Sequence, residues 1–220
     1  MQLEKLSPAT ALPLFGQAVS PVQTSPMPEY HRKLPHCQPE GRFLFITWLL
    51  FGSLPNDKPV DSRTYPTKGH AFVARDRQLA SCATGPKWLE EPAIAELVAN
   101  TILAADKERR FYNLSAWVVM PNHVHLLILP LVPVPSITKW IKGSTAREAN
   151  KLLRRTGNPF WQDESYDHYV RNEEQTVRTG LSSVDRIVAY IEHNPVATGL
   201  ASISDQWPWS SAGWQANDRN

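Results

Sequence analysis

From Asn113 to Thr138 the chain carries no Lys, Arg, Asp or Glu. A run of this length without charge belongs either in a bilayer or in the core of a folded domain. Asn122, His123, His125 and the prolines at 121, 130, 133 and 135 interrupt it. Polar side chains and missing backbone donors at that density are not compatible with a lipid-facing helix. Buried sheet is the remaining solution. FYNLSAWVVMPNHVHLLILP (111–130) therefore reads as two strands joined by a tight turn at Pro121-Asn122. A buried hairpin needs apolar neighbours, and RFLFITWLLF (42–51), rich in aromatic and β-branched residues, supplies a central strand.

The other segments follow helical spacing. Leu89, Ile94, Leu97, Val98, Ile102 and Leu103 predict a helix from Trp88 to about Arg109. Ser136 reads as the cap of a helix running to about Arg155, with Ile137, Trp140, Ile141, Ala149, Leu152 and Leu153 facing inward. GNPFWQDESYDHYVRN (157–172) is aromatic-rich and broken by Gly-Asn-Pro, and 52–70 reads as a loop. A last helix spans 183–194, ended by Pro195. Strand, helix, hairpin, helix, helix implies an α+β fold with helices packed on an antiparallel sheet.

Prolines at 8, 13, 21, 26, 28, 35 and 39 without apolar periodicity mark residues 1–40 as an extended or partly disordered arm. A single domain over 41–214 and a short tail, 215–220, complete the expected organisation. Two widely separated cysteines, Cys37 and Cys82, indicate neither a disulfide framework nor a thiolate zinc site. With no targeting signal evident in MQLEKLSPAT, the expected location is the cytoplasm.

Four features could carry chemistry. His123 and His125 lie two apart on a strand, so their imidazoles project from one face while Val124 turns to the other. Such a pair can grip a divalent metal at two points, or can simply hydrogen-bond on a half-exposed face. In VDRIVAYIEHNP, Val184, Ile187, Val188 and Ile191 form an apolar stripe. Tyr190 lies about 110° from the stripe's centre and Asn194 about 70°, on the same flank. Either the tyrosine is a rim residue or its hydroxyl and the Asn194 amide face whatever packs beside them.

The third feature is charge. Residues 136–155 carry Lys139, Lys142, Arg147, Lys151, Arg154 and Arg155 against Glu148 alone, a surplus of five in a chain whose net charge is only +2. That face suits a phosphate backbone, or solvent. Fourth, Phe160, Trp161, Tyr166 and Tyr169 cluster near this helix, with Trp207 and Trp209 beyond. Exposed rings stack on unpaired bases, and buried ones are packing. Tyr166 competes with Tyr190 as a nucleophile, and His168 is a further possible ligand or base.

AWVVMPNHVHLLILP (116–130), IKGSTAREAN (141–150), FWQDESYDHYVR (160–171), YIEHNPVATGL (190–200) and WPWSS (207–211) occur in this order. Together they resemble the REP-associated tyrosine transposases, a branch of the single-tyrosine HUH transposases and nucleases. The resemblance covers Phe43 to Ser211 and implies a ferredoxin-like antiparallel sheet of the HUH palm type. It also implies that His123 and His125 are the HUH pair, Tyr190 the nucleophile and Asn194 the residue completing a site for Mg²⁺ or Mn²⁺. The implied activity is cleavage and transfer of hairpin-forming single-stranded DNA through a 5′-phosphotyrosine, by a monomer or homodimer. The alternative is a domesticated relative that binds structured single-stranded DNA without catalysis. The Pro-rich arm lies outside the shared core, and the stretch from Arg171 to Tyr190 is longer than the pattern expects.

Overall fold

The computed structural model describes residues 41–53, 74–79, 81, 85–170 and 181–217, with side chains to Trp214. The Pro-rich arm, nearly all of the 52–70 loop and the end of the tail lie outside the described residues. Strands β1 (Leu44–Leu50), β2 (Tyr112–Val119), β3 (His123–Pro130) and β4 (Trp161–Tyr169) form one sheet in the order β2-β3-β1-β4. Every neighbouring pair is antiparallel. Helix α1 (Pro92–Lys107) connects β1 to β2, and α2 (Val134–Leu152) connects β3 to β4. This β-α-β-β-α-β order is the ferredoxin-like arrangement. Helix α3 (Ser183–Ala197) and α4 (Ser211–Asn217) follow it.

Helices α1 and α2 share one face of the sheet. There Leu44, Ile46, Trp48, Trp117, Val124, Leu126 and Ile128 meet Ile94, Val98 and Ile102 of α1 and Ile137 and Ile141 of α2. The other face meets α3: Phe45, Ala116, Val118 and Leu127 pack against Ile191, with Val184, Ile187 and Val188 alongside. With both faces covered, all seven residues of β1 are buried, as a run that is apolar except for Thr47 requires. A bulge between Leu114 and Ala116 shifts the β2 register. It leaves Tyr112 against α1 while Ala116 and Val118 face α3.

Three local expectations need correction. Helix α2 begins at Val134 with Pro133 as its cap, so Ser136 lies inside the first turn. Proline is well suited there because its missing N–H has no intrahelical partner to lose. Helix α3 does not stop at Asn194: it runs through Pro195 to Ala197. So close to the C-terminus the lost donor costs a single bond, and Thr198 closes the helix through its N–H on the Asn194 carbonyl. The segment 157–172 contains β4. Its Gln162, Asp163, Glu164 and Asp167 mask a strand from an apolar-pattern reading, yet charge is what an edge strand carries to avoid pairing with another chain. Among the described residues no helix is long and apolar enough to cross a membrane.

Candidate metal and nucleophile site

The HxH pair sits where strand alternation places it. His125 pairs with Thr47 and His123 with Leu49 on β1. Both imidazoles are fully buried on the α3 side, their ring centres 4.7 Å apart, while Val124 joins the core under α1 and α2. Phe45, two residues before Thr47, stacks on His125 at 5.4 Å.

Each ring is fixed through its Nδ1. Thr47 Oγ1 lies 2.8 Å from His125 Nδ1, and Asn122 Oδ1 lies 2.6 Å from His123 Nδ1. The Asn122 amide is itself oriented, since its Nδ2 donates to the Leu79 carbonyl at 3.0 Å. Its Oδ1 therefore accepts from His123, which assigns the proton to Nδ1 and leaves a lone pair on Nε2. Fixing a ligand histidine through its distal nitrogen is the usual support for a metal site.

Both Nε2 atoms point at Asp76, which the helical stretch 74–79 brings under the sheet. Asp76 Oδ1 is 3.0 Å from His125 Nε2 and 3.6 Å from His123 Nε2. Its Oδ2 accepts hydrogen bonds from the Tyr190 hydroxyl and, at 3.1 Å, from Asn194 Nδ2. Tyr190 and Asn194 share the flank of α3 that faces the histidines, and the Tyr190 ring centre is 6.1 Å from that of His125. A capping box between Ser182 and Asp185 sets the start of this helix.

Burial, reinforced by the neighbouring His125, pushes His123 down to about 3, with Asp76 opposing the shift. His123 is thus neutral near pH 7 and able to ligate. Burial by itself raises Asp76, but His125, His123 and the Tyr190 hydroxyl outweigh it and hold the carboxyl well below the usual carboxylate range. Burial, then the charge and hydrogen bond of Asp76, push the Tyr190 hydroxyl well above its ordinary value.

The donor set fits a cation. Asp76, His123 and His125 offer ligand atoms that all lie within 4.8 Å of one another. His123 Nε2 and Asn194 Oδ1 are buried with no hydrogen-bond partner among the described residues, and Asp76 Oδ1 has the two imidazoles as its neighbours. Lone pairs converging in a dry site are unfavourable unless positive charge lies between them. Asp76 was not legible as a site residue. It stands in VARDRQL with no spacing that relates it to the histidines.

The other candidates are dispersed. Tyr166 lies across Thr47 from His125, so it shares the site face one strand further away. His168 pairs with Phe45 on that same face and is exposed, whereas Tyr169 packs on the opposite core. The six cations of 136–155 lie on and just after α2, in the layer that covers the face opposite the histidines. Lys142 donates to the carbonyls of Gln162 and Asp163, and Arg147 and Lys151 pair with Glu148. Arg155 stacks over Trp88 at 3.6 Å, and Lys139 and Arg154 are exposed. Phe160 and Trp161 are buried, and Trp207 is anchored through its Nε1–H on the Val119 carbonyl. These rings are packing.

Residues 87–194, which contain both histidines, Tyr190 and Asn194, match the family described as "Transposase IS200 like". A REP-associated tyrosine transposase of Escherichia coli (strain K12) is 26% identical over 119 residues, covering 53% of this chain and 63% of that protein. The chain thus spans less than two thirds of that relative. A solved structure of a REP-associated tyrosine transposase bound to a REP hairpin is similar at a TM-score of 0.44 and 19% identity, covering 87% of this chain and 86% of that one. The part of the chain that is similar to the IS200-like transposase family is thus the part that carries the histidine strand and the tyrosine helix.

Proposed function

We propose that residues 41–214 form a DNA strand transferase that cuts and rejoins hairpin-forming single-stranded DNA through a covalent bond to Tyr190. The observation that carries this reading is the convergence of the Tyr190 hydroxyl and the two imidazoles on one buried carboxylate. The family match and the name of the Escherichia coli relative support DNA transfer as the activity.

His123, His125 and Asn194 Oδ1 would hold Mg²⁺ or Mn²⁺, which when bound polarises a scissile phosphate through a non-bridging oxygen. The residues do the rest. Helix α3 holds the Tyr190 side chain beside the histidines, where it would be positioned to attack a phosphate bound there. Attack forms a bond from the tyrosine oxygen to phosphorus and breaks the bond from phosphorus to the 3′ oxygen. The tyrosine proton is lost, the leaving 3′ oxygen gains one, and a 5′-phosphotyrosine remains. Because one phosphoester replaces another, a second 3′-hydroxyl can reverse the step and join strands without ATP. Phe45, Ile187, Val188 and Ile191 keep water from competing as the nucleophile. The basic residues of 136–155 would bind DNA phosphates remote from the reacting one.

Incubation with a labelled single-stranded hairpin and Mn²⁺ or Mg²⁺ tests this, with adducts read on a denaturing gel. A denaturation-resistant adduct formed by wild type and lost in Tyr190→Phe is the expected result. Cleavage without adduct would replace the tyrosine by water as the nucleophile. Hairpin binding with neither would make the chain a DNA-binding relative.

A further inference from the structure

We infer that Asp76 is a shared anchor: one carboxylate oxygen completes the cation site with the two histidines while the other holds the nucleophilic tyrosine and Asn194. This rests on the reading above that a divalent cation sits at His123 and His125.

The division of the two oxygens carries the inference. Oδ1 faces both imidazole Nε2 atoms, and Oδ2 accepts from Tyr190 and Asn194. The Asp76 side chain is only 5% exposed, and among the described residues its ion-pair partners are the two imidazoles. The hydrogen-bond network gives His123 a lone pair at Nε2, so at 3.6 Å it faces Oδ1 acceptor to acceptor. A buried carboxylate aimed at an imidazole lone pair is stabilised by a cation between them. Neighbouring side chains set the position. Leu79 at the end of the same helical stretch is buried, and its carbonyl orients Asn122, which orients His123. One short stretch thus supplies a ligand and aligns another.

The chemistry of the set changes as a result. Two imidazoles and an amide oxygen are a soft site for Mg²⁺, whereas an added carboxylate suits both Mg²⁺ and Mn²⁺. Asp76 also ties the two partners together. The carboxylate that would fix the cation fixes the tyrosine oxygen at the same time, so the distance between them is set by one rigid group rather than by two independent side chains.

Asparagine separates this role from a structural one. In Asp76→Asn the amide oxygen can still accept from Tyr190, and the amide N–H can donate to the lone pair of His123. The metal-free fold is retained and a ligand is lost. Mn²⁺ binding to the full chain, read by electron paramagnetic resonance and calorimetry without DNA, is the measurement. Asp76→Asn is expected to keep the wild-type metal-free Tm and to bind Mn²⁺ at least about tenfold more weakly. Tyr190→Phe is expected to stay within about threefold, because the hydroxyl is held by the ligand and is not one. Asp76→Ser, which also keeps an acceptor and lacks the carboxylate, gives the same loss and serves if the asparagine variant does not fold. Wild-type Mn²⁺ affinity in Asp76→Asn or Asp76→Ser, with binding lost in His123→Ala and His125→Ala, would overturn the role of Asp76 and leave the histidine site standing. Unchanged binding in the histidine variants would overturn the cation site itself, and this inference with it.

Discussion

The two faces of the sheet are built from the same strands and differ in kind. Under α1 and α2 nearly every inward residue is apolar, from Leu44 and Trp48 to Val124 and Leu126. Under α3, Thr47, His123, His125, Asp76 and Asn194 are buried among only a few apolar residues. A dry apolar face stabilises a fold. A face that buries histidines, a carboxylate and an amide accepts a desolvation cost that stability alone does not require. The alternation of β3 shows both in one place, with Val124 in the core and its two neighbours in the site.

Substitutions should separate the faces cleanly. The largest effect belongs to Tyr190→Phe, for which adduct formation should fall by about three orders of magnitude or more, since a nucleophile cannot be replaced by its ring alone. Unfolding by urea should change by about 1–3 kcal/mol, the cost of a lost hydrogen bond to the buried Asp76 carboxylate. Conversely, Leu126→Ala on the opposite face should cost about 2–5 kcal/mol in urea unfolding. Its folded fraction should still form the adduct. A Leu126→Ala protein that is stable but inactive would break the distinction.

Acid should act through the polar face. His123 is held neutral down to about pH 3 in the folded chain. The unfolded chain binds that proton near the ordinary histidine value of about 6.5. The contribution of neutral His123 is therefore fully present above that value and is lost as pH falls from there towards 3. Asp76, held below its usual range, adds a further loss at the acid end, below the ordinary carboxylate value. Metal-free Tm against pH should decline across this window, and His123→Gln should flatten the part above pH 4. An unaltered slope in that variant would show that other groups dominate.

The smallest effect concerns the distant cations. Lys139→Glu with Arg154→Glu should weaken hairpin binding and reduce its salt dependence by about one unit of slope per lost phosphate contact. Cleavage of bound DNA should be unchanged. Binding at full strength would show that α2 is a solvated face and that the DNA lies wholly on the α3 side.

How much of this was legible depends on the range of each signal. The hairpin, the central position of β1 and the shared flank of Tyr190 and Asn194 follow from local periods of two and 3.6 residues, and the structure shows all three. The β4 strand escaped because an edge strand is polar, and missing it hid the layer assignment. Once β4 is recognised, α1 and α2 become crossover connections of the same hand and must cover the same face. The basic helix is then opposite the histidines. Asp76 escaped for a different reason. It reaches the histidines through tertiary packing, from a short helical stretch whose sequence carries no period linking it to β3.

The most direct test of the tyrosine on the α3 face is to map the covalent adduct. Wild-type protein is incubated with a single-stranded hairpin and Mn²⁺, digested, and analysed by mass spectrometry for a nucleotide-bearing peptide. A 5′-phosphonucleotide on Tyr190, in the peptide that begins after Arg186, is the predicted result. A nucleotide on Tyr166, or protein that cleaves DNA and carries no nucleotide on any tyrosine, would contradict it.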